Sequence, residues 1–339
     1  MRRNINRRGF LTGGARIAGA AALAMGLEEK ILLAQAGSTS SPQAGSATAE
    51  AEKKAESASG LAMGQIGKVK ISRLICGGNL FNGYAHSRDL IYVSELLKKY
   101  FSDEKIIETL EICEENGINT VIANNRKDEN SIRVLRKYWD ERGGKIQWLA
   151  QSNPDPKDIK SNIQVAIDNG AVGAFVQGNI ADVSTRDGKM DFLGQCVDFI
   201  KQNGLIAGIG GHSLRTPMKC EEAGIKPDFY MKTFHSTNYW SQKRPDQDME
   251  VIDNYKVDNY WDITPDETKA FMQKVNRPWL AYKVLAAGAI HPRNGFKYAF
   301  ENGADFIVAG MFDFQVREDV IITKDVLSKV TTRQRPWCG

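Results

Sequence analysis

The feature that most constrains the fold of this 339-residue chain is a unit that recurs after Lys68, a short apolar run followed by a stretch with helical spacing. The runs do not alternate with polar residues, which is typical of parallel strands buried on both faces. The apolar runs are 71–77, 120–123, 146–150, 172–176, 205–210, 228–234, 279–285 and 305–309. The helical stretches are 103–116, 130–141, 156–169, 191–203, 214–223, 265–275, 293–302 and 315–329.

Start and stop residues support these units: Asp103 and Thr264-Pro265 precede or open helical stretches, and Gly117 and Gly224 follow them. Eight consecutive β/α units predict an α/β protein with a closed (β/α)8 TIM barrel over residues 65–330. Residues 331–339 are predicted to form a C-terminal tail. A doubly wound open sheet is the alternative. It is disfavoured because no GxGxxG motif opens the first helix.

Histidines cluster at the predicted carboxyl ends of the strands, where barrels bind ligands. His86 lies in the first loop, His212 and His235 follow the fifth and sixth strands, and His291 lies beyond the seventh. Histidine serves as acid, base or metal ligand near neutral pH. We therefore predict His212, His235 and His86 as catalytic candidates, the alternative being hydrogen-bonded loop residues. No HxH or HExxH spacing supports a metal site, so a metal-free site is preferred.

Two lysines lie within predicted strands, where a charged side chain is costly to bury unless it is paired. Lys232 and Met231 fall on opposite faces of the sixth strand because side chains alternate. Lys283 lies near the end of the seventh strand, where a buried lysine can act as a base, an imine-forming amine or an oxyanion partner. The alternative is an outward lysine that extends between helices.

Two connections, 79–102 and 236–264, are longer than strand–helix loops usually are. The second contains Asn-Tyr-Trp twice, at 238–240 and 259–261. Aromatic side chains on the ligand face predict a lid or a stacking surface for a sugar-like ring. The alternative is that these rings pack the loop against the barrel rim.

The amino terminus contains paired arginines, Arg7-Arg8, then Phe10-Leu11, a weakly apolar run over 15–27 and the small-residue site 34–36. This pattern resembles a twin-arginine (Tat) signal peptide over 1–36. The resemblance implies the Tat export machinery as a partner and a periplasmic or extracytoplasmic location. An ordinary basic amphipathic terminus is the alternative. Residues 37–64 are rich in Ser, Ala, Glu and Lys, which predicts a flexible linker.

Charge and cysteine content exclude several classes of partner and site. The net charge is +4, and residues 1–36 carry all of it, so nucleic-acid binding has no electrostatic support. The apolar run is shorter than the about 20 residues of a membrane span, and no stable membrane insertion of the mature chain is expected. Five widely spaced cysteines without CxxC disfavour a disulfide framework or a zinc finger.

Short segments along the barrel share a characteristic order and spacing. They are Gly77-Gly78 after the first strand, 115–119 before the second, 208–210 with 223–228 in the fifth and sixth units, 281–288 in the seventh and 310–320 in the eighth. Over roughly residues 65–330 they resemble the aldo-keto reductase superfamily. The resemblance implies a small-molecule oxidoreductase with an NAD(P) cofactor. It also implies that Tyr282 stacks on nicotinamide and that Met231 faces the lumen, so Lys232 faces away.

The family's catalytic positions are occupied by different residues here. Its aspartate, lysine and histidine are replaced by Ile122, Gln151 and Gln177, and no tyrosine occurs among 124–129. Gln151 and Gln177 therefore join Lys283 as catalytic candidates. The resemblance places Ser213, Gly288, Gly310 and Arg317 at the cofactor, with Gln315 where an arginine would bind the extra phosphate of NADP.

The favoured function is thus an exported, divergent aldo-keto-reductase-like oxidoreductase that acts on a small carbonyl or sugar-type substrate. Two alternatives remain. One is a histidine-based lyase, isomerase or hydrolase, with or without metal assistance. The other is a non-catalytic barrel that binds a ligand with its aromatic loops.

Overall fold

The computed structural model describes residues 60–86, 90–126, 129–239, 242, 261–331, 333 and 335–339. The predicted signal peptide, nearly all of the predicted linker, and Trp240, Asn259 and Tyr260 of the aromatic repeats lie outside the described residues. The export signal, the linker and the lid therefore stay predictions.

Eight parallel strands form a closed barrel, which confirms the predicted TIM barrel. The strands are β3 (Leu74–Gly77), β4 (Thr120–Asn124), β5 (Gln147–Ser152), β6 (Gly173–Val176), β7 (Ile206–Gly211), β8 (Phe229–Thr233), β9 (Trp279–Tyr282) and β10 (Phe306–Ala309). Each strand pairs with its neighbour in the sequence, and β10 pairs with β3 to close the ring.

Helices cover the outside of the barrel and follow the predicted stretches closely. They are α1 (Val93–Tyr100), α2 (Asp103–Glu115), α3 (Ser131–Arg142), α4 (Ile159–Asp168), α5 (Gly178–Arg186), α6 (Met190–Gln202), α7 (Arg215–Glu222), α8 (Pro265–Met272), α9 (Pro292–Glu301) and α10 (Asp313–Lys329). Short 3-10 helices occur at Leu80–Asn82 and Ala286–Gly288. The sequence analysis missed α1 and α5.

None of the helices in the described ranges is long and apolar enough to pass through a lipid bilayer.

Strand side chains alternate between two cores. One set points outward and packs under the helices, as Trp148, Tyr230 and Phe234 do. The other set fills the lumen as Ile75, Ile122, Leu149, Phe175, Ile206, Phe229, Met231, Leu280, Tyr282, Phe306 and Val308. Polar residues follow the lumen-facing positions just beyond the carboxyl ends of the strands. The barrel therefore brings these residues towards one another.

An antiparallel hairpin of β1 (Met63–Ile66) and β2 (Val69–Ser72) precedes the barrel. Its turn contains Gly67, whose φ of 56° favours glycine. Ile66, Val69 and Ile71 pack into the lumen core and close the amino end of the barrel. The predicted first strand, 71–77, was thus wrong in part, because the chain leaves the hairpin at Arg73 and enters the barrel at Leu74. The hairpin also begins at Met63, inside the predicted linker.

The predicted tail, 331–339, is part of the folded structure at its described positions. Arg335 is buried and forms an ion pair with the equally buried Asp305 at 2.6 Å. The ring of Trp337 lies between the guanidinium groups of Arg73 and Arg333, at 4.2 and 3.4 Å from its centroid. Cation–π contacts and a buried ion pair hold this segment against the barrel.

Candidate active site

Two adjoining cavities open at the carboxyl ends of the barrel strands. The polar pocket, about 70 Å³, lies over the ends of β5, β6 and β7. The apolar cavity, about 240 Å³, lies over the ends of β3, β9 and β10. Residues that line both cavities are Asn79, Tyr84, His86, Gln151, Met231, Tyr282 and Lys283. Two ligands bound in these cavities would therefore lie side by side.

An Asp182–His212 pair forms one wall of the polar pocket. The Asp182 carboxylate accepts from the backbone N–H of His212 at 2.8 Å and of Ser213 at 3.2 Å, and from the Thr216 hydroxyl at 2.6 Å. It also lies 2.9 Å from Nδ1 of the His212 ring. Because a carboxylate only accepts, Nδ1 carries the ring proton and Nε2 remains the acceptor.

His212 is held in its neutral form. Burial, together with the nearby Lys283 ammonium, lowers the pKa of His212 to about 4, although the hydrogen bond to Asp182 opposes the shift. The ring lies 5.5 Å from the Tyr282 ring, measured between centroids. A neutral imidazole with a fixed tautomer can accept a proton or a hydrogen bond from a ligand in the pocket.

Backbone strain is concentrated around the apolar cavity. The non-glycine residues with left-handed φ in the described ranges are His86 at 65°, Lys283 at 59°, Ala286 at 45° and Ala287 at 55°. Three of them line the apolar cavity, and Ala286 is adjacent. Each such conformation costs roughly 1–3 kcal/mol and persists where surrounding structure imposes it, typically at functional sites. Lys283 is thereby set at the seam between the two cavities.

Uncharged amides dominate the other side of the polar pocket. Gln151 and Asn153 extend from the end of β5, and Gln177 follows β6. Asn124 donates to Glu129, which also accepts from the Tyr84 hydroxyl at 2.7 Å. The pocket therefore offers amide donors and acceptors together with a histidine and a lysine.

The apolar cavity has glycine-rich walls and a helix at its far side. Gly77, Gly78, Gly288 and Gly310 line it, together with Phe312 and Gln315 at the start of α10. The absence of side chains at the four glycines lets a flat ligand approach the backbone. The positive end of the α10 dipole favours an anionic group at this side of the cavity.

Most of the residues predicted from the sequence line these cavities. They are His86, Gln151, Gln177, His212, Tyr282, Lys283, Gly288 and Gly310. Three others lie elsewhere in the fold: His235, Ser213 and Arg317. His291, the fourth histidine, caps the amino end of α9 and accepts from the backbone N–H of Arg293.

His235 is buried behind the strand ends. Its Nδ1 donates to the Ser236 carbonyl at 2.9 Å, and its Nε2 accepts from the Asp262 backbone N–H at 2.9 Å. Asp262 lies 3.5 Å from Lys232, and both side chains are almost completely buried. Lys232 therefore faces away from the lumen, as expected. Through these two hydrogen bonds, His235 links the start and the end of the long connection 236–264, which was predicted as a lid.

Ser213 and Arg317 have other contacts. The Ser213 hydroxyl accepts from the backbone N–H of Arg215 in the turn before α7. Arg317 is exposed on α10 and lies 3.6 Å from Glu115. Neither lines the apolar cavity, and Gln315 is the α10 side chain that does.

The most informative residue that the sequence analysis missed is Asp182. It lies on α5, a helix that was not predicted from the sequence. Only Arg186-Asp187-Gly188 indicated a helix end nearby. Asn153 and Glu129 were also missed. Their contacts join distant segments, and no local pattern reports such contacts.

Within the part of the chain that the structure describes, no three or more His, Cys, Asp or Glu side chains are grouped so as to hold a metal ion.

Solved structures share this architecture at low sequence identity. One, named "Putative aldo-keto reductase" from Pseudomonas aeruginosa, matches with a TM-score of 0.54 and 13% identity over 78% of this chain and 94% of its own. A second structure of that description from the same organism gives 0.52 and 12% over 78% and 95%. No protein-family model and no curated protein matches the chain by sequence. These comparisons show a shared barrel fold, and at this identity they show the fold alone.

Proposed function

We propose that this protein is an oxidoreductase that acts on a small polar carbonyl compound. The substrate occupies the polar pocket, and a nicotinamide cofactor occupies the apolar cavity. The observation that carries the proposal is the pair of adjoining cavities of opposite character, with Tyr282 and Lys283 in their common wall. An enzyme with a single substrate needs only one such compartment, whereas an oxidoreductase brings a cofactor and a substrate together.

The residues of the apolar cavity fit a nicotinamide nucleotide. The volume of about 240 Å³ suits a nicotinamide ring with part of its ribose, beside Tyr282. The amino end of α10 suits a diphosphate. Gln315 supplies no positive charge for a further phosphate, and Arg317 is directed to Glu115. We therefore expect NADH to bind more tightly than NADPH.

The bound nicotinamide would supply or accept a hydride. The protein's side chains would orient the substrate and stabilise the charge that develops on it. The Lys283 ammonium would stabilise negative charge that develops on the carbonyl oxygen. In carbonyl reduction the Lys283 ammonium would also donate the proton that the oxygen takes up. In the reverse reaction, alcohol oxidation, His212, neutral at its Nε2, would accept the hydroxyl proton while Asp182 holds its tautomer. These roles would be filled by residues other than the catalytic residues of the family that the chain resembles.

Nucleotide binding by the full-length protein tests the cofactor assignment. We expect saturable binding of NADH in calorimetry, weakened about tenfold in Tyr282→Leu because an aromatic contact is lost. Tyr282→Phe keeps the ring and is the matched control. Absence of binding by both NADH and NADPH, or equal affinity in Tyr282→Leu, would overturn the assignment.

Turnover tests the substrate compartment separately. A methyl group on Gly178 would lie 2.8 Å from the Tyr282 hydroxyl and 2.9 Å from the His212 ring, inside the polar pocket. Gly178→Ala is expected to remove NADH oxidation with D-glyceraldehyde, dihydroxyacetone or D-xylose while NADH still binds. Gly194→Ala, in the interior of α6 with its nearest neighbour at 3.8 Å, is the control that keeps turnover. No oxidation by the parent protein with any of these compounds contradicts the proposal.

A second candidate function follows from the Asp182–His212 pair alone. A neutral histidine with a fixed tautomer, near a buried lysine, suits proton abstraction next to a carbonyl group, as in an isomerase. Deuterium uptake into D-xylose or dihydroxyacetone in D2O, without nucleotide and absent in His212→Gln, would favour this candidate over the oxidoreductase.

The location outside the cytoplasm remains part of the proposal. It rests on Arg7-Arg8, the apolar run after them and the small residues at 34–36. Recovery of the shortened protein in periplasmic extract would support it, and recovery only in the cytoplasm would contradict it.

A further inference from the structure

Three amide side chains form a continuous side of the polar pocket, which we call the amide wall: Gln151, Asn153 and Gln177. Leu149 of β5 and Phe175 of β6 face the lumen. Gln151 and Asn153 follow Leu149 by two and four residues, and Gln177 follows Phe175 by two residues. Because side chains alternate along strands, all three are directed to the same side of the barrel. His212 and Lys283 line the same pocket.

Asn153 is fixed in position by a frame of other asparagines. Its backbone N–H donates to Oδ1 of Asn162 at 2.6 Å. Asn125 in turn donates to the Asn162 carbonyl at 2.7 Å and to the Ser152 hydroxyl at 3.1 Å. These bonds hold the loop after β5 rigidly, so the Asn153 side chain is presented to the pocket in a defined place.

The Asn153 side chain has a donor that the described protein does not satisfy. Its Nδ2 is buried and has no hydrogen-bond acceptor among the described residues. Buried donors are almost always paired, and an exception calls for a partner that comes from elsewhere. The torsion that orients a terminal amide is soft, so a small rotation turns the N–H groups to a ligand oxygen.

The two glutamines of the wall are also available to a ligand. Their side chains are partly exposed in the pocket and make no hydrogen bond to any described residue. An amide carries both donors and an acceptor, and a hydroxyl group likewise donates and accepts. Three neighbouring amides match a molecule with several adjacent hydroxyl groups better than they match a simple aldehyde or a carboxylate.

We propose that the amide wall determines specificity for a polyhydroxylated carbonyl compound, an aldose or a ketose, and that Asn153 donates to one of its oxygens. The inference rests on the proposed function only in taking the polar pocket as the substrate compartment. It names the class of substrate and the residues that select it. His212 and Lys283 line the same pocket and would act on the same molecule.

Replacement of Asn153 by leucine separates this role from a structural one. Leucine has nearly the same size and removes an unsatisfied buried donor, which is neutral or stabilising for a fold. In calorimetry with D-xylose, D-glucose and D-fructose on the full-length protein, we expect at least one sugar to bind. Asn153→Leu should weaken it about tenfold, with a melting temperature that is unchanged or higher.

Asn125→Leu is the matched control, because the amide nitrogen of Asn125 has two acceptors within the frame. We expect it to lower the melting temperature. Gln177→Leu provides a second test of the wall and should also weaken sugar binding. No binding of any of the three sugars to the parent protein overturns the inference. So does a lower melting temperature with unchanged sugar affinity in Asn153→Leu.

These measurements need no nucleotide, so they are independent of the cofactor assignment. Sugar binding without NADH binding would retain the amide wall and remove the oxidoreductase. NADH binding and turnover of an aldehyde without hydroxyl groups, such as propanal, with no binding of any sugar would retain the oxidoreductase and remove the amide wall.

Discussion

The Asp182 carboxylate accepts hydrogen bonds from both the backbone and the ring of His212, so one side chain sets the position and the tautomer of the imidazole. Ser213 and Thr216 add two further donors. These four hydrogen bonds to a carboxylate are charge-assisted, and such bonds are strong and directional. The neutral form of His212 is thus a property of its place in the fold, to which burial and Lys283 contribute.

This arrangement has a consequence for stability as the pH changes. In the unfolded chain His212 takes up a proton near its ordinary pKa of 6.5, whereas the folded ring takes it up only near pH 4. The stability linked to this residue is therefore complete above about pH 6.5 and is lost as the pH falls towards 4. The shift corresponds to about 3 kcal/mol of unfolding free energy.

Urea unfolding between pH 7 and pH 4 measures this contribution. We expect His212→Gln, which keeps a donor to Asp182, to lose about 3 kcal/mol of the pH dependence seen in the parent protein. Asp319 acts in the opposite direction, because burial raises its pKa to about 7. The comparison is therefore made between parent and variant, not on the parent profile alone. Identical pH dependence in both would contradict the assignment.

At the scale of elements, the connection between β8 and α8 is held at both ends by one side chain. His235 bonds to the Ser236 carbonyl and to the Asp262 N–H. The buried Lys232–Asp262 pair lies beside it, and burial raises the pKa of Asp262 while Lys232 and His235 oppose the shift. The geometry favours a positioning role for His235.

His235→Phe keeps an aromatic ring but removes both hydrogen bonds. We expect the unfolding free energy to fall by roughly 1–3 kcal/mol, because a buried N–H and a carbonyl lose their partner. Protease cleavage between residues 236 and 262 should accelerate, as followed by mass spectrometry. Loss of turnover with unchanged stability and cleavage would instead identify His235 as a catalytic residue.

The elements that the sequence predicted well are those whose apolar pattern is local. The barrel strands and eight helices fall within a few residues of the predicted stretches. The site was predicted in part: His212, Lys283 and Tyr282 are strand-end residues, and strand ends converge in any barrel. The bond from Asp182 to His212 spans 30 residues between different units. Such a pairing follows from packing, which no single stretch of sequence encodes.

At the scale of the whole molecule, the amino end of the barrel is closed by the hairpin and by the segment that ends the chain. Asp305 pairs with Arg335 at 2.6 Å and with Arg333 at 3.6 Å, and it accepts from the backbone N–H of Trp279 and Cys338. All of this lies at the opposite end from the two cavities. Under the proposed function, stability and ligand binding would therefore be carried by different ends of the same barrel.

Asp305→Asn tests that separation. The change leaves two buried guanidinium groups without their carboxylate, and we expect the unfolding free energy to fall by about 3–5 kcal/mol in urea. Nucleotide affinity, measured where the variant is folded, should not change. Asp325→Asn removes the half-exposed surface partner of Arg293 and Lys329 and is the control, with little effect expected. A small effect of Asp305→Asn would contradict the assignment.

The hairpin described above has a kinetic consequence. Ile66, Val69 and Ile71 fill the amino end of the lumen, so ligands reach the two cavities from the carboxyl ends of the strands. Under the proposed function, cofactor and substrate would therefore enter and leave at the same face of the barrel. Product-inhibition patterns would then show a compulsory order if one bound ligand blocks the entry of the other.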